Sequence, residues 1–364
     1  MSIPKMLKAH IRLGDVAQGQ DNNFNLIRFL AAVAVLVSHA WPITGGAGAT
    51  EPFHDATGHS LGSLAVYVFF TLSGFFIAGS FQRSKSGIRF IVARAARLFP
   101  GLAVSLVFVA FVMGPVVSDL SLGAYLRHPD TAMFTLRNLS LINLQYSLPG
   151  VFDALPYPRV EGSIWTLIYE VLCYGMVFAF GVTGLLARHR AILVALVIYA
   201  LVWSAPSLAG FDLHPSVAHL RKLSLPFVIG VAFWIWRDRV VLSGPLCAGL
   251  IVGAIVAHET ALAYPMLVLA LSYGTFWLGH APRGAVRRFN RLGDYSYGIY
   301  IYAFPLQGLA IWLWGPMGPA LNIALALPMT LICAVASWHW IERPALDLAR
   351  AAGWGRRHRI SRQW

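Results

Sequence analysis

Apolar residues in this chain run in blocks about as long as a bilayer is thick, each closed by glycine, proline or charge. Reading those breaks yields about ten candidate spans, near residues 24–44, 63–82, 98–117, 163–187, 191–209, 222–236, 240–257, 261–279, 293–314 and 320–341. The sixth is short, and the seventh and eighth are joined by only a few residues, so a merged or re-entrant element there would lower the count by one. The pattern predicts an all-α fold, a polytopic membrane helical bundle. It would have a polar N-terminal segment (1–23), a transmembrane domain (24–341) and a basic tail (342–364). No internal repeat or flexible linker marks off a soluble domain.

Composition agrees. Of 364 residues, 57% are apolar and 12% charged, against ~45–50% and ~25% in soluble domains, and mean hydropathy is +0.64. Lys and Arg number 28 against 15 Asp and Glu, a formal charge of +13. In a soluble protein that balance would raise nucleic-acid binding, but here 22 of the 28 fall in segments that alternate to one side of the spans. Arg127, Arg137, Arg159, Arg221 and Lys222 fall on the other side, and Arg28 lies within the first span. Basic residues are retained in the cytoplasm, so both termini are expected there, with no call for nucleic acid. The tail Arg356-Arg357-His358-Arg359 is expected to meet anionic lipid headgroups. Cys173, Cys247 and Cys333 lie in apolar runs without CxxC spacing, implying neither disulfides nor zinc. Residues 1–23 lack the apolar core and cleavage site of a removable signal peptide.

Ionisable groups within the spans carry the chemistry, because a charge at mid-membrane costs ~2.5–3.5 kcal/mol and usually faces the bundle interior with a task. Arg28 and His39 share the first span. Eleven residues are about three helical turns, so both project from nearly one face, ~16 Å apart. The plain alternative is an arginine snorkelling to the interface and a histidine bonding a carbonyl. Glu170, two turns into the fourth span, needs a partner, for which Arg28 and His39 are the natural choices. Two outer segments, 45–62 (with Glu51, His54, Asp55 and His59) and 118–162, are long enough to be functional or packed on the bundle.

On the basic side, Arg89, Arg94 and Arg97 interleave with apolar residues. Arg94 and Arg97 are three apart, placing two guanidinium forks on one helix face suited to a phosphate or pyrophosphate. Flanking charges also serve simply as topology signals. No GxSxG, HExxH or P-loop spacing occurs, and His54 and His59 are not at helical ligand spacing, so no metal is proposed. Ser73-Gly74 lies inside the second span, where small residues permit close helix packing.

These elements together resemble the acyltransferase-3 family of bacterial integral-membrane O-acyltransferases. Arg28 and His39 are similar to its Arg-x10-His signature, and Phe69-Phe70-Thr71-Leu72-Ser73-Gly74-Phe75 to its FFxLSGF run. Arg94-Ala-Ala-Arg97-Leu-Phe-Pro100 resembles its RxxR-x-x-P motif. Trp165-Thr-Leu-Ile-Tyr-Glu170 resembles its W-[ST]-L-x-x-E element, and Ser296-Tyr297-Gly-Ile-Tyr300 its late S-Y-x-x-Y element. Two departures stand out: Ala303 precedes Phe304-Pro305 where the family often has histidine, and Asn25 stands where an acid often precedes the first-span arginine.

The resemblance implies an enzyme of the inner membrane that moves an acyl group, acetyl foremost, from the co-substrate acyl-CoA to a hydroxyl of a surface polysaccharide or glycolipid. Arg28, Arg94 and Arg97 would hold the CoA phosphates, and His39 would act as general base, or as nucleophile if an acyl-imidazole forms. Glu170 would orient His39 or bind the sugar; Trp165, Ser73 and Tyr297 would contact the acceptor. No permanently bound cofactor is expected, and oligomeric state is not legible. A transporter using Arg28, His39 and Glu170 as a substrate or proton path is the competing reading, and a scaffold subunit of a glycan-synthesis complex a third.

Overall fold

The computed structural model describes residues 11–353 apart from 18, 20 and 85, so the Arg356–Arg359 cluster lies outside the described residues. Among these, no β-strand forms beyond one isolated bridge between Arg12 and Val241. A helix stands at each expected position: α1 (Phe24–Gly45), α2 (Leu61–Arg83), α3 (Gly87–Val117), α4 (Ile164–Val182) and α5 (His189–Ala209). The rest are α6 (Pro215–Ile235), α7 (Gly244–Val256), α8 (Ala263–His280), α9 (Ser296–Trp314) and α10 (Pro319–Ala351).

The expected count of ten crossings is not reproduced. Seven of these helices (α1–α6 and α10) are long and apolar enough to span a bilayer. α7 has only 13 residues. α9 contains Ser296, three tyrosines and Gln307, which lower its hydropathy because it is enclosed by protein: Ile299, Ile301, Ala303, Leu306, Gln307 and Ala310 are all buried. α5 is the converse. Leu193, Val194, Val197, Ile198, Leu201 and Val202 are all more than half exposed, and such a continuous apolar face fits contact with acyl chains rather than water.

The chain divides into two compact units. The first comprises residues up to Arg28, Val66–Gln82 and Tyr169–Leu292. Its core is aromatic: Phe276 packs on Phe75 at 4.7 Å and on Phe233 at 4.9 Å, and Trp234 meets Phe75 edge-on at 5.2 Å. Here α2 and α6 touch backbone to backbone. A Cβ on Gly74 would lie 2.0 Å from the Phe227 carbonyl oxygen, and one on Gly230 would lie 2.1 Å from that of Thr71. Gly74 of the FFTLSGF run therefore serves close packing, as its position predicts. Residues 12–14 are clipped within this unit, with Leu13 fully buried and its N–H donating to Val240 O at 2.8 Å.

The second unit comprises Phe29–Ala65, Arg83–Ile168 and the chain from Gly293. α9 is its central helix. Gln307 Nε2 donates to Leu36 O of α1 and to Asn322 Oδ1 of α10, each at 3.0 Å, while Asn322 Nδ2 returns a bond to Gln307 O. Such reciprocal amides satisfy buried polar groups across helices that lipid could not. α3 carries a π-bulge at Val109–Met113, where the Ala110 carbonyl accepts the Tyr125 hydroxyl at 2.7 Å. That bond seats the expected long outer segment, which forms helices Leu122–Arg127 and Pro129–Ser140 and buries Tyr125, Phe134 and Asn138. The other outer segment is also tied down, since the buried carboxylate of Glu51 accepts the Leu61 N–H at the start of α2.

Candidate active site

His39 sits on α1, three turns beyond Arg28, in the second unit. Its imidazole meets the Phe304 ring edge-on, with centroids 5.3 Å apart at 77°. Phe304 is buried with Ile43 and Ile311, and Leu155, Tyr157 and Met317 close around them. The histidine thus faces an apolar wall built from α1, α9 and the loop before α4. Its Nδ1 is buried and has no hydrogen-bond partner. A buried polar nitrogen normally finds one, so an unpaired imidazole nitrogen suits a group that bonds a substrate.

The loop before α4 supplies a residue that the sequence reading passed over. Glu161 is 1% exposed. Its Oε1 accepts the N–H groups of Gly162 and Ser163, both at 3.0 Å, and the Ser163 hydroxyl at 2.8 Å. Burial pushes this carboxyl up to about 7, against the opposing effect of those bonds. The turn it braces shapes the histidine's wall. Gly162 packs on Phe304 so closely that a Cβ would lie 2.4 Å from its ring. Ser163 O accepts the Tyr300 hydroxyl, which also bonds Thr166 Oγ1 at 2.7 Å. An acid followed by Gly-Ser just ahead of a helix start was the available signal, hidden by its place in a proline-rich segment.

The remaining expected site residues fall into separate groups. In the first unit, Glu170 Oε1 accepts Ser73 Oγ at 3.0 Å and the Tyr174 hydroxyl, so Ser73 and Glu170 meet as side chains of α2 and α4. Tyr174, one turn along from Glu170, was not anticipated. Arg28 is half-buried on α1 in that unit, whereas Trp165 belongs to the second unit, half-buried on the 3-10 turn Ile164–Thr166 that opens α4. In the second unit, Arg94 and Arg97 are both half-buried on α3. Tyr297 stands beneath Arg97, with the guanidinium carbon 5.7 Å from its ring centroid, and donates its hydroxyl to Leu98 O at 2.7 Å. Arg97 also reaches two acids absent from the expected site, Asp294 at 2.7 Å and Glu342 at 3.4 Å.

Comparison with known proteins adds an independent line. The acyltransferase-domain model Acyl_transf_3 matches residues 21–339. The O-acetyl transferase of Shigella phage Sf6 is 28% identical over 338 residues, covering 89% of this chain and 96% of that protein. Nodulation protein 10 of Rhizobium leguminosarum bv. viciae is 25% identical over 383 residues, covering 91% and 95%. No solved structure matches significantly. The family match includes α1 with Arg28 and His39, the FFTLSGF run, the Arg94/Arg97 turn and Glu170. A chain matched over that much of its length belongs to the acyltransferase-3 family and is an acyl-transferring enzyme built on membrane helices.

Proposed function

We propose that this protein moves an acyl group, acetyl foremost, from acyl-CoA to a hydroxyl of a cell-surface polysaccharide or glycolipid at the inner membrane. His39 is the general base. Its unpaired Nδ1, buried beside an apolar wall, is the observation that carries this reading, because an incoming hydroxyl supplies the missing partner. The imidazole takes the hydroxyl proton as the oxygen attacks the thioester carbon. The carbon–sulfur bond breaks, and the proton passes to the departing CoA thiolate. In the two-step variant the imidazole is itself acylated and then gives the acyl group to the hydroxyl. Arg94 and Arg28 meet the donor's phosphates. Glu170, held by Ser73 and Tyr174, binds the acceptor, and Trp165 offers a stacking face to a sugar. Membership of an acyltransferase family sets aside the transport reading.

The test is transfer from labelled acetyl-CoA by detergent-solubilised protein, combined with mass spectrometry of surface glycans from strains with and without it. His39→Ala should accumulate in the membrane yet transfer at least ~10²-fold more slowly, the lower end of what a positioned base contributes. Near-normal turnover would remove the base assignment. Unaltered glycans together with no binding of CoA would remove the donor and acceptor.

A further inference from the structure

Arg97 has partners that its motif does not disclose. Its Nη2 lies 2.7 Å from Asp294 Oδ2 and its Nη1 lies 3.4 Å from Glu342 Oε2. The second oxygens are occupied too: Asp294 Oδ1 accepts Ser296 Oγ at 2.6 Å, and Glu342 Oε1 accepts Ser337 Oγ at 2.9 Å. Every carboxylate oxygen in the group therefore has a donor. The guanidinium also lies over two rings, its carbon 5.7 Å from the Tyr297 centroid and 6.0 Å from that of Trp338. Three segments distant in sequence meet here: α3, the lead into α9, and the π-bulge Trp338–Glu342 within α10. A π-bulge turns a side chain out of the helical register, and such bulges recur at functional sites. Gly101, one turn beyond Arg97, admits the group. A Cβ there would lie 3.0 Å from the Tyr297 ring and 3.3 Å from Glu342 Cγ.

A direct phosphate ligand needs its fork turned to the phosphate. Both terminal nitrogens of Arg97 are turned to carboxylates, and releasing them would strand Glu342, which is 1% exposed. We propose that Arg97, Asp294 and Glu342 form a positioning clasp: they fix the start of α3, and with it Arg94 one turn away, so that Arg94 rather than Arg97 meets the donor phosphates. This rests on the acyl-CoA reading above. Asp294 and Glu342 thereby become positioning residues for donor binding.

The experiment measures KM for acetyl-CoA and kcat in detergent-solubilised R97A, D294N, E342Q and R97A/E342Q. A clasp predicts that all three single variants raise KM alike, by roughly tenfold, the scale of losing a supporting contact behind a ligand. It predicts a smaller change in kcat and a double variant no worse than R97A. The proposal is overturned if D294N and E342Q keep or lower the wild-type KM while R97A loses donor binding, since removing competing carboxylates would then have freed a direct ligand. E342Q changes no volume and serves if R97A does not accumulate. Failure of the wild-type protein to bind acetyl-CoA overturns the donor reading itself. Failure of the clasp is recognised separately, as strictly additive shifts in unfolding temperature for R97A and E342Q.

Discussion

Replacing Gly74 with alanine should loosen the first unit at one defined point. The added Cβ would lie 2.0 Å from the Phe227 carbonyl oxygen, 2.9 Å from its carbon and 3.1 Å from the Val231 nitrogen, where ordinary contact begins at 3.4 Å. All three atoms are backbone, so no rotamer change relieves the clash and α2 and α6 must part by roughly an ångström. Overpacking a tight site costs ~1–3 kcal/mol when side chains can yield. With backbone on both sides the cost should reach the top of that range, about 3 kcal/mol. Gly230 reports on the same contact from the other helix, its Cβ falling 2.1 Å from Thr71 O, so Gly230→Ala should cost a similar amount. The double variant should cost well under the sum, because one widened gap accommodates both methyl groups. Gly175 is the control: nothing lies within 4 Å of its Cβ, and Gly175→Ala should be neutral or slightly stabilising. Equilibrium unfolding in mixed micelles, followed by tryptophan fluorescence, gives the four free energies. A Gly74→Ala protein within ~0.5 kcal/mol of the wild type, or full additivity in the double variant, would refute the argument.

Glu161 should make stability depend on pH. Its carboxyl moves from an ordinary 4.5 to about 7 on folding, so the folded state keeps a proton that the unfolded chain releases. Stability should therefore fall as pH rises from 4.5 through 7, by about 3 kcal/mol in all. Glu161→Gln should flatten that slope, and an unchanged slope in unfolding titrations would show that another group sets it. Gly162→Ala drives a methyl group into the Phe304 ring that walls His39. Transfer should drop up to ~10²-fold with smaller loss of accumulated protein; a full rate would mean that the wall does not position the imidazole.

The helices were legible from the chain alone because hydropathy is a local property and bilayer thickness a fixed ruler. So was the placing of Arg28 and His39 on one helix three turns apart, since the two are related by helical repeat alone. The use of Gly74 was legible as well, a small residue in a span having few other purposes. Other features were decided only when distant segments met. The carboxylates holding Arg97 lie 197 and 245 residues further along the chain, and no spacing rule reaches that far. Glu161 looks like a loop acid in sequence and becomes a group with a raised pKa only because the fold buries it, with α9 packed on the Gly162 and Ser163 that follow it. The π-bulges are equally silent in hydropathy, and so is the enclosure of α9, which lets a central helix fall short of the apolarity a lipid-facing one needs. Burial of a polar group is a property of its neighbours, and the fold alone chooses those.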